Sequence, residues 1–555
     1  MSTHLLTNVR VGRSASGTGL FTAASLTVAV LVAAPLLALL WLAFGTAPAD
    51  ADGGALGHLF GTVLPRYVLT TALLALTVLA VVLLIGVGAG WLIAAYDFPG
   101  RGALAWMLVL PLAMPAFVMA YAYTDFLETY GPLQTWWRQL SGLQVGQYWF
   151  PDIHSWRGAG AFLGLALYPY VYLLARAAFA ERNASLTEAA RSLGLSPRRV
   201  WWRVVWPGAR PAVAAGCALA LMETLADFGT VSYFAVDSFT AGIYRAWQGM
   251  GDRVGAARLA VILVVVVVAV LLVERRQRGR MQFHGRQPRP AARLRLTGWP
   301  AWRATLLCLL PIVLGFLLPA ALLLRASLAA EFGVDPRLGQ WVFNTALLSA
   351  CGVAVVLPIA LVSAYALRLS DAWPLRVALS LANTGYAVPG VVLGVGLLIL
   401  SGAVGQALTP LTEALGLPML LAGGSAVAVV YAYAVRFFSV AFHGVDAGLK
   451  RISPSMDQSA RSLGRRPHEV LRDVHWPLMR RTIGAASLLV FIDCLKELPA
   501  TLVLRPFNFD TLAVVTYQFA ADERLAQAAL PALLIVLVGV VPVVWLSRVA
   551  LSEGR

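Results

Sequence analysis

The chain has 555 residues, 59% of them hydrophobic and 13% charged, with a net charge of +16. A soluble fold of this length has no use for so much apolar surface, so the composition excludes a cytosolic enzyme and indicates a polytopic membrane protein. The positive charge does not indicate a nucleic-acid partner: it is carried almost wholly by Arg, clustered in a few loops, with lysine only at Lys450 and Lys496.

Those two lysines also exclude a nucleotide-binding loop, which needs Gly-Lys-Ser/Thr. Lys450 follows Leu449 and Lys496 follows Leu495. Any ATP and Mg chemistry therefore belongs to another chain. Cys217, Cys308, Cys351 and Cys494 all lie in apolar runs without a CxxC pair, which suits reduced core residues rather than a disulfide or zinc framework.

In chain order, residues 1–19 are polar, and the run from Leu20 to Phe44 is too long for a signal-peptide core and reads as an uncleaved first span. Further apolar runs predict spans near 68–95, 103–125, 159–180, 210–235 and 256–273. The second half repeats them near 303–324, 342–367, 376–401, 420–442, 482–503 and 527–547. The expected fold class is therefore an all-α polytopic membrane protein of about twelve transmembrane helices, arranged as two parallel six-helix repeats. The expected domains are a first repeat over 1–273, an Arg/Pro-rich linker over 274–302 and a second repeat over 303–555. With the N-terminus inside, the inside loops and termini carry most of the basic residues, the positive-inside pattern. This predicts cytoplasmic N- and C-termini, and the linker reads as a tether and topology anchor. The outside loop 126–157 carries Trp136, Trp137, Tyr148, Trp149 and Trp156, residues suited to the membrane interface or to a partner's surface.

One phrase occurs twice. SLTEAARSLGLSPRRVWWRVVWP at 185–207 matches SMDQSARSLGRRPHEVLRDVHWP at 455–477 with a constant offset of 270. Ser185 with Glu188, and Ser455 with Gln458, have capping-box spacing. Gly194 and Gly464 suit the left-handed residue that ends a helix, and Pro197 and Pro467 suit the first turn of another. Pro207 and Pro477 are expected to stop or kink that second helix. His468 and His475, on the second stretch, read as surface residues.

Acids occupy equivalent spans, where charge is costly. At the same offset Glu223 falls on Asp493 and Asp227 on Glu497. The acids of each pair are four residues apart and share a helix face. Two readings stand. In one, the acids are structural, with Lys496 neutralising Glu497 or Asp493. In the other, four carboxylates line a pathway, where a hard cation such as Fe3+ would find transient oxygen ligands. Pro115 in LAMPAFV and Pro389 in YAVPGVV lie in matching spans and predict kinked helices, lining a pathway or serving packing.

The repeated stretch, with EAARSLG at 188–194 and the degenerate QSARSLG at 458–464, resembles the cytoplasmic EAA loop of ABC-importer permeases. METLADFGTVSYF at 222–234 and KELPATLVLRPFNFDTLA at 496–513 resemble segments of the fused, two-copy ferric-iron permeases. The resemblance implies a type I importer permease fold in the bacterial inner membrane. It also implies two copies of an ABC ATPase docked on the two loops, through Glu188, Ala189, Arg191, Gly194 and Pro197 and through Gln458, Arg461, Gly464 and Pro467. A periplasmic binding protein would deliver the substrate. Fused relatives carrying thiamine, polyamine-like or phosphonate substrates leave the cargo open, and an ion-coupled secondary transporter using the buried acids is the competing class.

Overall fold

The computed structural model describes residues 15–45, 61, 63–180, 184–279, 293–329, 333–370, 372–415 and 424–552. Within them the chain is helical almost throughout, because a backbone in lipid must satisfy its own polar groups. The first half runs α1 (Ala15–Gly45), α2 (Leu64–Ala95), α3 (Arg101–Met107), α4 (Ala116–Leu127), α5 (Pro132–Ser141) and α6 (Trp156–Ala180). It continues through α7 (Ala184–Ser192), α8 (Pro197–Val200), α9 (Trp206–Ala226), α10 (Gly229–Tyr233), α11 (Phe239–Tyr244) and α12 (Arg253–Gly279). The second half opens with α13 (Trp299–Ile312), α14 (Leu318–Leu328), α15 (Leu338–Leu369), α16 (Trp373–Ala382), α17 (Gly390–Leu415) and α18 (Ala426–Lys450). It closes with α19 (Pro454–Ser462), α20 (Pro467–Val470), α21 (Trp476–Leu495), α22 (Pro499–Leu504), α23 (Leu512–Ala521) and α24 (Leu525–Ser552).

Among the described residues ten helices are long and apolar enough to cross a membrane, and an eleventh span is a broken pair. This is close to the expected number of about twelve, and the kink expected at Pro115 is a full break. The run at 103–125 is split between Arg101–Ala113 and Ala116–Ser141, which are bent by 92°. Pro115 causes the split: it cannot donate to the helix ladder, and its extended ψ of 140° turns the chain before its carbonyl accepts from Met119. The second half repeats the device, as a 3-10 turn over Asn383–Ala387 is followed by Pro389, whose carbonyl accepts from Leu393. Both prolines are buried, and both restart a helix instead of merely kinking one. The run at 482–503 is broken too, between α21 and α22, where Pro499 opens the new helix.

The strongest helix pairing, α2 with α6, rests on glycines on both partners. A Cβ on Gly86 would lie 2.7 Å from Val171 Cβ, and one on Gly164 would lie 2.6 Å from Val81 Cβ. Gly90 and Gly160 sit four residues away on the same faces, so this is small-xxx-small packing from both sides. α15 has the same length as α2 and shares TALL with it, at 71–74 and 345–348, an offset of 274.

The first helix of each half packs on the other half. Phe21 of α1 meets Tyr365 edge-on at 5.3 Å, and a Cβ on Gly396 of α17 would lie 2.7 Å from the Pro35 carbonyl of α1. In the other direction Gly315, between α13 and α14, lies against Pro111 and the Leu165 carbonyl, and Tyr123 donates to the Leu314 carbonyl at 2.5 Å. The compact units consequently do not follow the sequence halves. One comprises 1–34, 351–386 and 433–491; the other comprises 35–350, 387–432 and 492–555. Past the central part of the linker, a short parallel bridge pairs β1 (Tyr96–Asp97) with β2 (Leu294–Arg295), which ties the end of the linker to the first half.

Candidate functional site

The two repeated stretches adopt the same local structure. In the first, α7 ends at Gly194, whose φ is +80°. The Leu193 amide donates to the Ala189 carbonyl, Gly194 to Arg191 at 2.9 Å and Leu195 to Ala190 at 3.1 Å. In the second, α19 ends at Gly464 with φ +79°, and Leu463, Gly464 and Arg465 donate to Ser459, Arg461 and Ala460. This is a Schellman closure in both copies, and it needs a residue tolerant of positive φ. Ala190 and Val200 are buried in one copy, as are Ala460 and Val470 in the other, so each loop is pinned from beneath. Glu188, Ala189, Arg191, Gln458 and Arg461 are exposed. At the apex Leu193 and Leu463 are 82% and 81% exposed, a matched pair of apolar side chains facing outward.

Two details differ from the sequence-based expectation. α19 starts at Pro454, one residue before Ser455, and its cap is Ser453, whose hydroxyl accepts from the Ser455 amide at 3.3 Å. The Ser185 side chain lies outside the described residues. Pro207 and Pro477 do not end their helices. Each follows a π-helical turn, Trp201–Val205 and Leu471–His475, and sits in the first turn of the helix beyond. The widened turn absorbs the missing N–H and the ring, so the chain passes unbroken from the loop into the membrane. The same pairing of π turn and proline recurs at Val313–Leu317 and Pro319.

Beneath the second loop, Arg368 at the end of α15 reaches Asp457 of α19 through Nε at 2.7 Å and Nη2 at 3.2 Å. The same guanidinium donates to the carbonyls of Leu449 and Ile452, the latter at 2.9 Å. His475 is fully buried, with Nε2 2.7 Å from Asp457 Oδ1, and Tyr365 donates to the Pro467 carbonyl at 2.8 Å. Burial alone would raise the Asp457 pKa, but the bonds from Arg368 and His475 outweigh it and hold the carboxyl below its ordinary value. The surface position expected for His475 is thus corrected: its ring is needed beneath the loop as a partner of Asp457.

The acids divide by role. Asp227 Oδ1 accepts from the amides of Thr230 and Val231 at 3.0 and 3.1 Å, and Oδ2 accepts from the Thr230 hydroxyl at 3.0 Å. Glu497 does the same for α22, accepting from the Ala500 and Thr501 amides at 3.0 and 2.9 Å and from the Thr501 hydroxyl at 2.7 Å. A helix that restarts within the membrane exposes N–H groups that lipid cannot satisfy, and these carboxylates satisfy them. One turn earlier, Glu223 and Asp493 are only partly buried. Lys496 Nζ lies 2.9 Å from Asp493 and is also within electrostatic range of Glu223 and Tyr170. Among the described residues no three of His, Cys, Asp and Glu gather as a metal-holding group. Nearby, Gly229 allows close approach: a Cβ there would lie 2.8 Å from Phe117 and 2.9 Å from Leu498.

Residues 86–279 match the family of binding-protein-dependent transport system inner membrane components. The chain is 24% identical over 489 residues, 84% of its length and 86% of the relative's, to the Fe(3+)-transport system permease protein FbpB 2 of Haemophilus influenzae. It is 27% identical over 185 residues, 32% of the chain, to the molybdenum transport system permease protein ModB of Escherichia coli, 78% of which is covered. It is also 27% identical over 145 residues, 26% of the chain, to half of the sulfate transport system permease protein CysT of Salmonella typhimurium. Residues 86–279 thus carry the inner-membrane-component domain of binding-protein-dependent transport systems, and the chain as a whole is similar over most of its length to a permease of that kind.

Proposed function

We propose that this chain is the translocation pathway of an ATP-driven importer whose cargo is ferric iron. A periplasmic binding protein delivers the ion, and two copies of an ABC ATPase subunit, which hold ATP and Mg, dock on the loops at 185–207 and 455–477. The observation that carries this reading is the identical loop geometry in both copies, with Leu193 and Leu463 equally exposed at the apex. Two matched handles suit a pair of identical motor subunits, whereas a secondary transporter has no use for them. Similarity to an Fe(3+) permease over 84% of the chain supports the cargo. Closure of the ATPase dimer would draw the loops together and open the pathway to the periplasm; reopening would reverse it. Glu223 and Asp493 are the pathway carboxylates of this reading, because Asp227 and Glu497 are committed to backbone amides. An oxyanion cargo is the second reading, favoured by the molybdenum and sulfate relatives.

The test is uptake by proteoliposomes holding the chain with its co-purified ATPase and binding protein. ATP-dependent accumulation of radiolabelled Fe3+ in preference to molybdate and sulfate is the expected result. Preference for either oxyanion would overturn the cargo, and uptake by the chain without an ATPase would overturn the mechanism.

A further inference from the structure

Three membrane-length helices have their ends together where the linker returns to the first half. α2 stops at Ala95, α6 stops at Ala180 and α13 starts at Trp299. Trp91 and Phe179, one turn inside the ends of α2 and α6, meet edge-on at 5.3 Å. The linker comes back through the bridge of β2 on β1, where the Leu296 amide donates to the Asp97 carbonyl at 2.9 Å. Thr305 of α13 then donates to the Pro99 carbonyl at 2.9 Å.

This corner gathers arginines. Arg101 donates through Nε at 2.9 Å to the carbonyl of Ile93, in the last turn of α2, where the helix leaves its carbonyls without ladder partners. The ionic charges that act on Arg101 are those of Arg293, Asp97 and Arg176, two guanidiniums against a single carboxylate. Arg295, in register with Asp97, and Arg303, one turn into α13, are exposed and add to the excess. Like charges brought together in this way are stabilised by an anion with several acceptor oxygens, which planar guanidiniums meet two at a time. Along α13 runs an apolar strip. Trp299, Trp302, Leu306 and Leu310 recur every three or four residues and share one face, and all are exposed, Trp299 at 72% and Trp302 at 61%. Tryptophan at the end of a span and leucine beyond it is the order of a bilayer boundary followed by its hydrocarbon.

We propose that this corner is a binding site for an anionic phospholipid, with the phosphate on Arg101, Arg176 and Arg293 and an acyl chain along Trp302, Leu306 and Leu310. The pairing of features fixes the occupant. A soluble anion would use the arginines and leave the strip bare, while a neutral lipid would cover the strip and leave the charges unmet. The bound headgroup joins the linker to the first half beside the short bridge of β1 and β2. Neither the cargo nor the motor protein enters into the site.

The test measures the lipid kept by the full chain. The chain is reconstituted in nanodiscs of phosphatidylcholine and phosphatidylglycerol and extracted into detergent, and the lipid still bound is quantified by class with native mass spectrometry. Phosphatidylglycerol is expected in excess of its share in the nanodisc. Arg176→Gln and Arg293→Gln are each expected to lower its retention about fivefold, the worth of one basic residue at an anionic surface. Trp302→Ala should lower both lipids alike, and Arg157→Gln, at the other end of α6, should change neither. Phosphatidylglycerol should also raise the unfolding midpoint of the native chain more than that of Arg293→Gln, whose exposed position makes misfolding no obstacle. Retention of the two lipids in proportion to their supply, or equal losses in Arg157→Gln and Arg293→Gln, would overturn the site. Inorganic phosphate raising the midpoint as far as phosphatidylglycerol would assign the arginines to a soluble anion and overturn the lipid. Unchanged retention in Arg293→Gln with loss of the co-purifying ATPase would give the surface to a protein partner and overturn it equally.

Discussion

Asp227 and Glu497 show how a carboxylate within a membrane protein can be fully engaged by backbone. Each accepts two amide protons and a threonine hydroxyl at the start of a restarted helix. Asp227→Ala should leave those donors unsatisfied and cost about 1–3 kcal/mol, read as a lower midpoint of thermal unfolding in detergent. Glu223→Gln should leave the midpoint nearly unchanged and lower uptake; an equal drop in midpoint would count Glu223 as structural. At Gly194 and Gly464 nothing lies within 4 Å of an added Cβ, so strain at positive φ is the only penalty. A Gly194→Val/Gly464→Val chain should insert normally, lose about 1–2 kcal/mol per site and show reduced uptake and ATPase coupling. Unimpaired uptake by the double variant would remove the loops from the mechanism. Asp457 supplies the pH prediction. Its carboxyl is held below the ordinary value of 3.8, so its contribution is complete above that value and is lost only as pH falls through the lower folded value. Its facing groups are Arg368 and His475, with Tyr365 beside them, and His475 can donate through Nε2 in either protonation state. A spin label on Leu463→Cys should therefore stay immobile from neutral pH down to about pH 5. Release at neutral pH would show that Asp457 does not hold the loop.

At the scale of elements, helix punctuation was legible where it is local. Positive φ at Gly194 and Gly464 follows from a glycine after a polar helix, and a disturbed helix at Pro115 and Pro389, expected as a kink and found as a restart, follows from a ring that removes a donor. What escaped the sequence reading is punctuation supplied by a neighbour or by an irregular turn. Pro207 and Pro477 read as stops or kinks, because nothing in one dimension announces the π turns that carry the helix past them. The pairing of α2 with α6 offers a direct test. Gly164→Leu would force a side chain into Val81 and should destabilise the protein by about 1–3 kcal/mol, seen as a lower unfolding midpoint, whereas Gly88→Leu meets open space and should be tolerated. Equal effects at the two sites would rule out close glycine packing as the basis of this contact.

For the whole molecule, the like-oriented repeats make one topological demand: both loops must lie on one side of the membrane. Membrane-impermeant labelling of Arg198→Cys and Arg465→Cys in inside-out vesicles should modify both, and labelling of one alone would contradict the parallel arrangement. The duplication, the apolar spans, the absence of a Gly-Lys-Ser/Thr sequence and the helix–Gly–helix shape of the repeated stretch could all be read in one dimension, since each depends on residue type and short spacing. The number of unbroken spans could not, because hydropathy sums over a break that Pro115 or Pro499 makes. Nor could the exchange of α1 and α13–α14 between halves, or the burial of His475. Arg368 meets Asp457 across 89 residues, and His475 meets it across 18. The long-range pair exists only once the helices have packed, because packing alone decides which polar side chain is withdrawn from water and which partner is there to meet it.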